Sequence, residues 1–148
     1  MKIFIGSDHA GFELKEKLVP FLTELGHEVV DKGPSVYDKD DDYPLFIKPV
    51  ADAVAADTSA RGIVMGKSGQ GEAMCANRVR SVRAAVYYGG NTEIIKLARE
   101  HNDANILSLA GGFLSEEEAK NAVRLWLETP FSGEERHKRR LSQIDQNE

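Results

Sequence analysis

The sequence predicts an α/β protein: a three-layer α/β/α sandwich on a five-stranded parallel, Rossmann-like sheet, ending in a C-terminal helix. Two observations carry this. Short apolar, β-rich runs alternate with longer stretches whose apolar residues recur at helical spacing, the pattern of a parallel sheet covered on both faces. The unusual glycine and polar segments "GSDHAG", "GKSGQGE", "YYGGN" and "LAGGF" each follow one of those β-type runs. In such folds ligands bind beyond the carboxyl ends of the strands.

Lys2–Gly6 ("KIFIG") is the first strand. "AGFELKEKLVPFLTEL" follows, with Phe12, Leu14, Leu18, Phe21, Leu22 and Leu25 on one helical face. Pro20 predicts a kink or break within it, and Gly26 a C-terminal stop. His27–Asp31 is the second strand and Gly33–Pro44 a polar loop. Pro44 opens a helix through "LFIKPVADAVAAD", again with an internal proline. Gly62–Gly66 is the third strand, and a helix follows Gly71. Arg83–Tyr88 is the fourth strand; Asn91–His101 is a helix capped by Asn91 or Thr92. Ala104–Ala110 is the fifth strand. Ser115 with Glu118 three residues on forms a capping box for the next helix, and "SGEERHKRRLSQIDQ" is a last, highly charged one. With 148 residues and no linker or repeat, the chain reads as one domain, 1–148.

Composition narrows the function. A net charge of -5 disfavours non-specific nucleic-acid binding. One cysteine permits no internal disulfide and disfavours a zinc cluster. The amino terminus turns charged too early for a signal peptide, and no apolar run approaches the roughly 20 residues of a membrane span. The expectation is a soluble, cytoplasmic protein without nucleic-acid or membrane partners.

The richest stretch is "VMGKSGQGEAMCANR", Val64–Arg78. It is not a phosphate-binding P-loop, because the required first glycine falls on Arg61. It is not a dinucleotide fingerprint either: Gly69-x-Gly71 is followed by Met74, and it comes after the third strand. What remains is a glycine turn leading into a helix, whose free N–H groups suit a phosphate or a transient oxyanion. Glu72 then has two readings: an acidic residue favoured in a first helical turn, or a base that takes a proton next to a carbonyl.

Six motifs in order resemble one family. They are "GSDHAGFELK", "DYP" (Asp42–Pro44), "GxSGxGE" with "ANR" (Ala76–Arg78), "RAA" (Arg83–Ala85), "HNDAN" (His101–Asn105) and "RHKRR" (Arg136–Arg140). The chain resembles the ribose-5-phosphate isomerase B family, which also includes galactose-6-phosphate isomerase subunits. The resemblance implies an aldose–ketose isomerase of phosphorylated sugars. Ribose 5-phosphate is the default substrate, and other tetrose, pentose or hexose phosphates are alternatives. A non-catalytic sugar-phosphate or nucleotide binder is the reading from another class.

The roles that follow are those the resemblance implies. The family's base is either a cysteine just after the third strand, where this chain has Gly66, or a glutamate after the glycine loop, where it has Glu72. Glu72 is therefore the expected base, moving a proton from C2 to C1 through a cis-enediolate. Ser68 and the N–H groups around Gly69–Gly71 would hold the oxyanion, so neither metal nor cofactor is expected. Asp8 would serve ring opening or hydroxyl recognition, His9 would touch substrate or phosphate, and Tyr43 would lie near the substrate or be structural. His101 would open the sugar ring, delivered from a neighbouring subunit, with Asn102 contacting substrate. Alone, His101 reads as a helix-dipole partner. Arg136 and Arg140 share a helix face and would grip the phosphate; alone they read as a solvated tail. Residues 132–148 would thus be a helical extension reaching a neighbour in a homodimer or higher oligomer. Cys75 does not match the family cysteine and reads as a buried, inert thiol. One departure stands out: Gly112 occupies a position where many members carry an arginine. Lys67, in a loop position usually small, either replaces that charge or points to solvent.

Overall fold

The computed structural model describes residues 1–146. Its elements are β1 (Lys2–Ser7), α1 (Phe12–Glu24), β2 (Glu28–Asp31), α2 (Pro44–Ala56), β3 (Arg61–Gly66), α3 (Gln70–Ala76), β4 (Ala84–Tyr87), α4 (Glu93–Glu100), β5 (Ile106–Ala110), α5 (Glu116–Glu128) and α6 (Glu135–Asp145). All five strands are parallel, in the order β2-β1-β3-β5-β4.

The strands read as near-continuous apolar runs because both sheet faces are covered. Ile3, Ile5, Ile63, Met65, Leu107 and Leu109 pack with Leu18 and Leu22 of α1, Ile95 of α4 and Trp126 of α5. Phe4, Val64 and Ile106 pack on the other face with Ile47, Val50 and Val54 of α2 and Ala76 of α3. Alternate residues of one strand therefore serve opposite helical layers. Burying each large apolar side chain contributes roughly 1.5–3 kcal/mol.

A break at Pro20 does not occur, since α1 runs continuously through it. Pro20 and Pro49 are both exposed, as are Glu16 and Leu45, the residues four before them, whose carbonyls lose a helical donor. Water can satisfy those carbonyls, so each helix continues. His27 precedes β2 rather than belonging to it, because its N–H closes the end of α1 on the Leu22 carbonyl. Thr92 takes the cap position of α4, but the Asn91 side chain supplies the bond, accepting from Glu93 N at 2.9 Å. The Ser115–Glu118 capping box forms in both directions.

β1 connects to β2 on one side and the chain then crosses to β3 on the other, so the strand order reverses between β1 and β3. The carboxyl ends of those two strands frame a crevice at this switch point. Asp8 follows β1 there, and the glycine turn follows β3.

Candidate active site

The glycine turn is held by a residue that no motif marked. Ser108, fully buried on β5, donates its hydroxyl to the Gly69 carbonyl at 2.6 Å. Gly69 has φ +73°, and a Cβ there would lie 3.1 Å from both the Leu109 backbone and the Ser108 hydroxyl. Only glycine meets both demands. Ser68 Oγ accepts from Gln70 N at 3.3 Å, while the N–H groups of Gly69 and Gly71 find no acceptor among the described residues. At seven residues α3 is short, so these open N–H groups, more than a helix dipole, supply the positive potential.

Glu72 is only 4% exposed, and its carboxylate lies directly over Gly66. Burial, chiefly, and the Asp8 carboxylate push its pKa above the ordinary glutamate value, against the pull of its own backbone N–H. A buried carboxyl with a raised pKa is a stronger base once ionised than a solvated one. Asp8, itself buried, accepts from Gly11 N at 3.0 Å and so also organises the start of α1. Tyr43 reaches the same turn: a Cβ on Gly71 would lie 3.0 Å from its ring and 3.1 Å from its hydroxyl. Lys67 is exposed, and its stem crosses Gly112, with Cγ 2.8 Å from where a Cβ would be. Gly112 N in turn donates to the Lys67 carbonyl at 2.9 Å.

His9 completes this end. Its Nδ1 lies 2.6 Å from Asp41 Oδ1, which also accepts the His9 backbone N–H at 3.1 Å. Asp8, His9 and Asp41 bring one donor atom each within 4.8 Å of one another. Within this grouping His9 Nδ1 is hydrogen-bonded to Asp41.

The other expected residues lie elsewhere in the chain. α4 returns from the carboxyl end of β4 to the amino end of β5, so His101 and Asn102 sit at the amino ends of the strands, opposite Glu72. α6 joins them there: His137 stacks on His101 with ring centroids 4.3 Å apart and planes 15° from parallel. Arg136 and Arg140 lie on the same helix and are exposed, with Arg136 Nε 2.8 Å from Glu134. The motif residues around them are a scaffold. Arg83 donates to the Asn102 and Asp103 carbonyls and to the Asp103 carboxylate, which Arg99 grips at 2.8 Å. Asn105 accepts from Arg83 N, and Asn77 ties α3 to β4 through both its amide atoms and Ala84. The glycine turn with Glu72, and His101 with the α6 arginines, are thus presented at opposite ends of one chain. The last two residues of the expected 132–148 extension lie outside the described residues.

A cavity of about 410 Å³ also opens at the amino ends, lined in part by Arg61, Arg83, Arg99 and Asp103. Its arginines are committed to main-chain carbonyls and Asp103, so it offers no open charge to an anion. Cys75 is half-buried rather than buried, packed at the edge of the α2–α3 layer, because α3 is short and its outer face is open. Burial, chiefly, raises its thiol pKa and so favours the protonated form.

Fold and site together define a doubly wound α/β protein with a glycine turn of open N–H groups at the switch point and a buried carboxylate beside it. Residues 3–144 match the model of the ribose/galactose isomerase family, and the chain belongs to that family. It is 42% identical over 141 residues to ribose-5-phosphate isomerase B of Mycolicibacterium paratuberculosis, covering 95% of this chain and 87% of the relative. Ribose-5-phosphate isomerase B of Mycoplasma genitalium, solved with bound ribulose 5-phosphate, superposes with a TM-score of 0.92 at 38% identity, covering 97% and 93% of the two chains. The Clostridium thermocellum enzyme of the same name gives 0.91 at 41% identity, covering 98% and 95%. Among the described residues no helix is long and apolar enough to cross a membrane.

Proposed function

We propose that this isomerase interconverts ribose 5-phosphate and ribulose 5-phosphate, with Glu72 as the base. The observation that carries the mechanism is the buried Glu72 carboxylate beside a glycine turn whose N–H groups are open. Glu72 takes the C2 proton of the open-chain aldose to give the enediolate and returns it to C1, while the O2 hydroxyl proton passes to O1, so that the carbonyl moves from C1 to C2. The developing oxyanion is held by the Ser68 hydroxyl and the Gly69 and Gly71 N–H groups. Donors of this kind contribute about 3–4 kcal/mol each. Asp8 and Tyr43 orient the sugar hydroxyls, and His9 and Lys67 face the phosphate. The names of the relatives support ribose 5-phosphate over other sugar phosphates.

The split between the two ends of the chain supports a homo-oligomer. In this reading His101, Asn102, Arg136 and Arg140 complete the site of a second copy, where His101 opens the sugar ring and the arginines bind the phosphate. The test is a panel of aldose phosphates assayed for ketose formation in deuterated water. Conversion of ribose 5-phosphate, with solvent deuterium appearing at the transferred position, is expected. Binding without conversion or exchange would leave a sugar-phosphate sensor instead.

A further inference from the structure

Asp41 lies in the Gly33–Pro44 loop, and no motif or role pointed to it. Its side chain is 6% exposed. One oxygen accepts twice from His9, from the ring Nδ1 at 2.6 Å and the backbone N–H at 3.1 Å. The other oxygen is buried with no partner. An ionised carboxylate held this way is costly unless its cation is present. The His9 side chain is 35% exposed and Nε2 has no hydrogen-bond partner among the described residues, so that nitrogen is free to take one.

We propose that Asp41 is a positioning residue that fixes a proton on His9 Nδ1 and thereby keeps His9 an imidazolium whose Nε2–H donates to the substrate phosphate. The inference rests on His9 being a phosphate contact. The logic is one of tautomers. With Nδ1–H donated to Asp41, a neutral His9 presents only a lone pair at Nε2, which repels a phosphate oxygen. Only the doubly protonated ring presents a donor there. The charged groups facing His9 are all acidic: Asp8 from the end of β1, and Asp38 and Asp41 from the loop, with the Tyr37 ring edge-on at 6.4 Å. Without the imidazolium, Asp8, Asp38 and Asp41 would face this side of the phosphate with no positive charge from His9 to offset them. The Asp41 hydrogen bond, first, and these charges raise the His9 pKa above 6.5, against the opposing effect of burial.

The sign follows. His9 loses its second proton as pH rises through its raised pKa, so phosphate binding weakens on the alkaline side. The phosphate itself is already dianionic above pH 7. The experiment is an NMR titration of His9, assigned by comparison with His9→Ala, beside KM and kcat for ribose 5-phosphate from pH 6 to 9, in the intact protein and in Asp41→Asn. Asparagine keeps the shape and removes the charge. We expect the His9 titration to move to lower pH in Asp41→Asn, with KM at pH 8 rising roughly tenfold or more, as for loss of a charge-assisted hydrogen bond to the phosphate. KM should converge with the parent near pH 6, and kcat should change less than KM throughout. An unmoved His9 titration, or a KM–pH curve that superposes on the parent, overturns the proposal. If Asp41→Asn loosens the loop, the parent alone decides: KM must climb above the NMR-measured His9 pKa, and a flat KM across it overturns the proposal. If His9→Ala leaves KM unchanged, the reading of His9 as a phosphate contact fails, whatever the Asp41→Asn protein shows.

Discussion

The Glu72 carboxylate fills the space that a side chain at Gly66 would need: a Cβ there would overlap both the carboxyl carbon and an oxygen. The family resemblance places its alternative base, a cysteine, at this same position. In this chain a glycine at the end of β3 leaves that space to the Glu72 carboxylate.

Gly66→Ala should separate catalysis from folding. Gly66 does not have a positive φ, and what its Cβ would strike is the far end of a flexible side chain rather than backbone. The fold should survive with the carboxylate displaced. A misplacement of about 1 Å is expected to lower kcat on the order of 10²-fold, with the melting temperature within a few degrees of the parent. Undiminished turnover would show that Glu72 does not act from this pocket.

Glu72→Gln should abolish isomerisation, by ~10²–10⁴-fold for loss of a general base, while binding of a phosphorylated substrate analogue persists. It should also leave the protein as stable or more stable at pH 7–8. The folded-state pKa of Glu72 is raised above 4.5, so the native protein holds this proton more tightly than the unfolded chain. Stability is therefore lost as pH rises from that value through the folded pKa. Glutamine removes that loss, so the melting-temperature gain should shrink towards pH 4.5. A gain that grows with acidity would contradict the burial argument.

Lys67 lies across Gly112, so positions 67 and 112 share one volume. Lys67→Ala is expected to raise KM for the phosphorylated sugar by roughly 10-fold or more, as for loss of a charge-assisted hydrogen bond, with a smaller effect on kcat. Gly112→Arg should recover part of that loss only in the Lys67→Ala background, because the lysine stem otherwise obstructs it. A silent Lys67→Ala would make the lysine a surface residue.

The His101–His137 stack should loosen in acid. His137 is 3% exposed, and burial, then the His101 imidazole and Arg136, hold its pKa below 6.5. Its contribution to stability is present above 6.5 and is lost as pH falls from that value through the folded pKa. His137→Phe keeps a flat ring against His101 and cannot titrate. The melting temperature of this variant should fall less than that of the parent between pH 7.5 and 5.5; identical pH dependences would remove the stack from the acid response.

Mixing inactive Glu72→Gln with inactive His101→Ala should restore activity if two copies build each site. In a mixed dimer one site keeps both residues, so about a quarter of parental activity is expected at random equal pairing. No recovery, with subunit exchange shown by mass spectrometry, would argue that each chain works alone.

The alternation of β-type runs and amphipathic helices was legible in the sequence because each strand is buried on both faces and each helix on one. The glycine turn and Glu72 were legible too, since turn chemistry and helix starts are local. The resemblance named Asp8 and His9. It could not supply Ser108 or Asp41, because a buried serine and one aspartate in "DKDDDYP" carry no signal until folding brings them to Gly69 and His9. Arg83, Asp103, Asn77 and Asn105 stood in motifs, yet their work as a scaffold depends on contacts between β4, α4 and the loop before β5. Pro20 misled because the cost of a helical proline depends on whether water reaches the released carbonyl, and exposure is a tertiary property. Strand order likewise became visible only in three dimensions. It sets the crevice between β1 and β3, and the direction of α4 carries His101 to the far end of the sheet from Glu72. Local sequence determined the elements and the chemistry at their ends; long-range packing decided which of those ends meet.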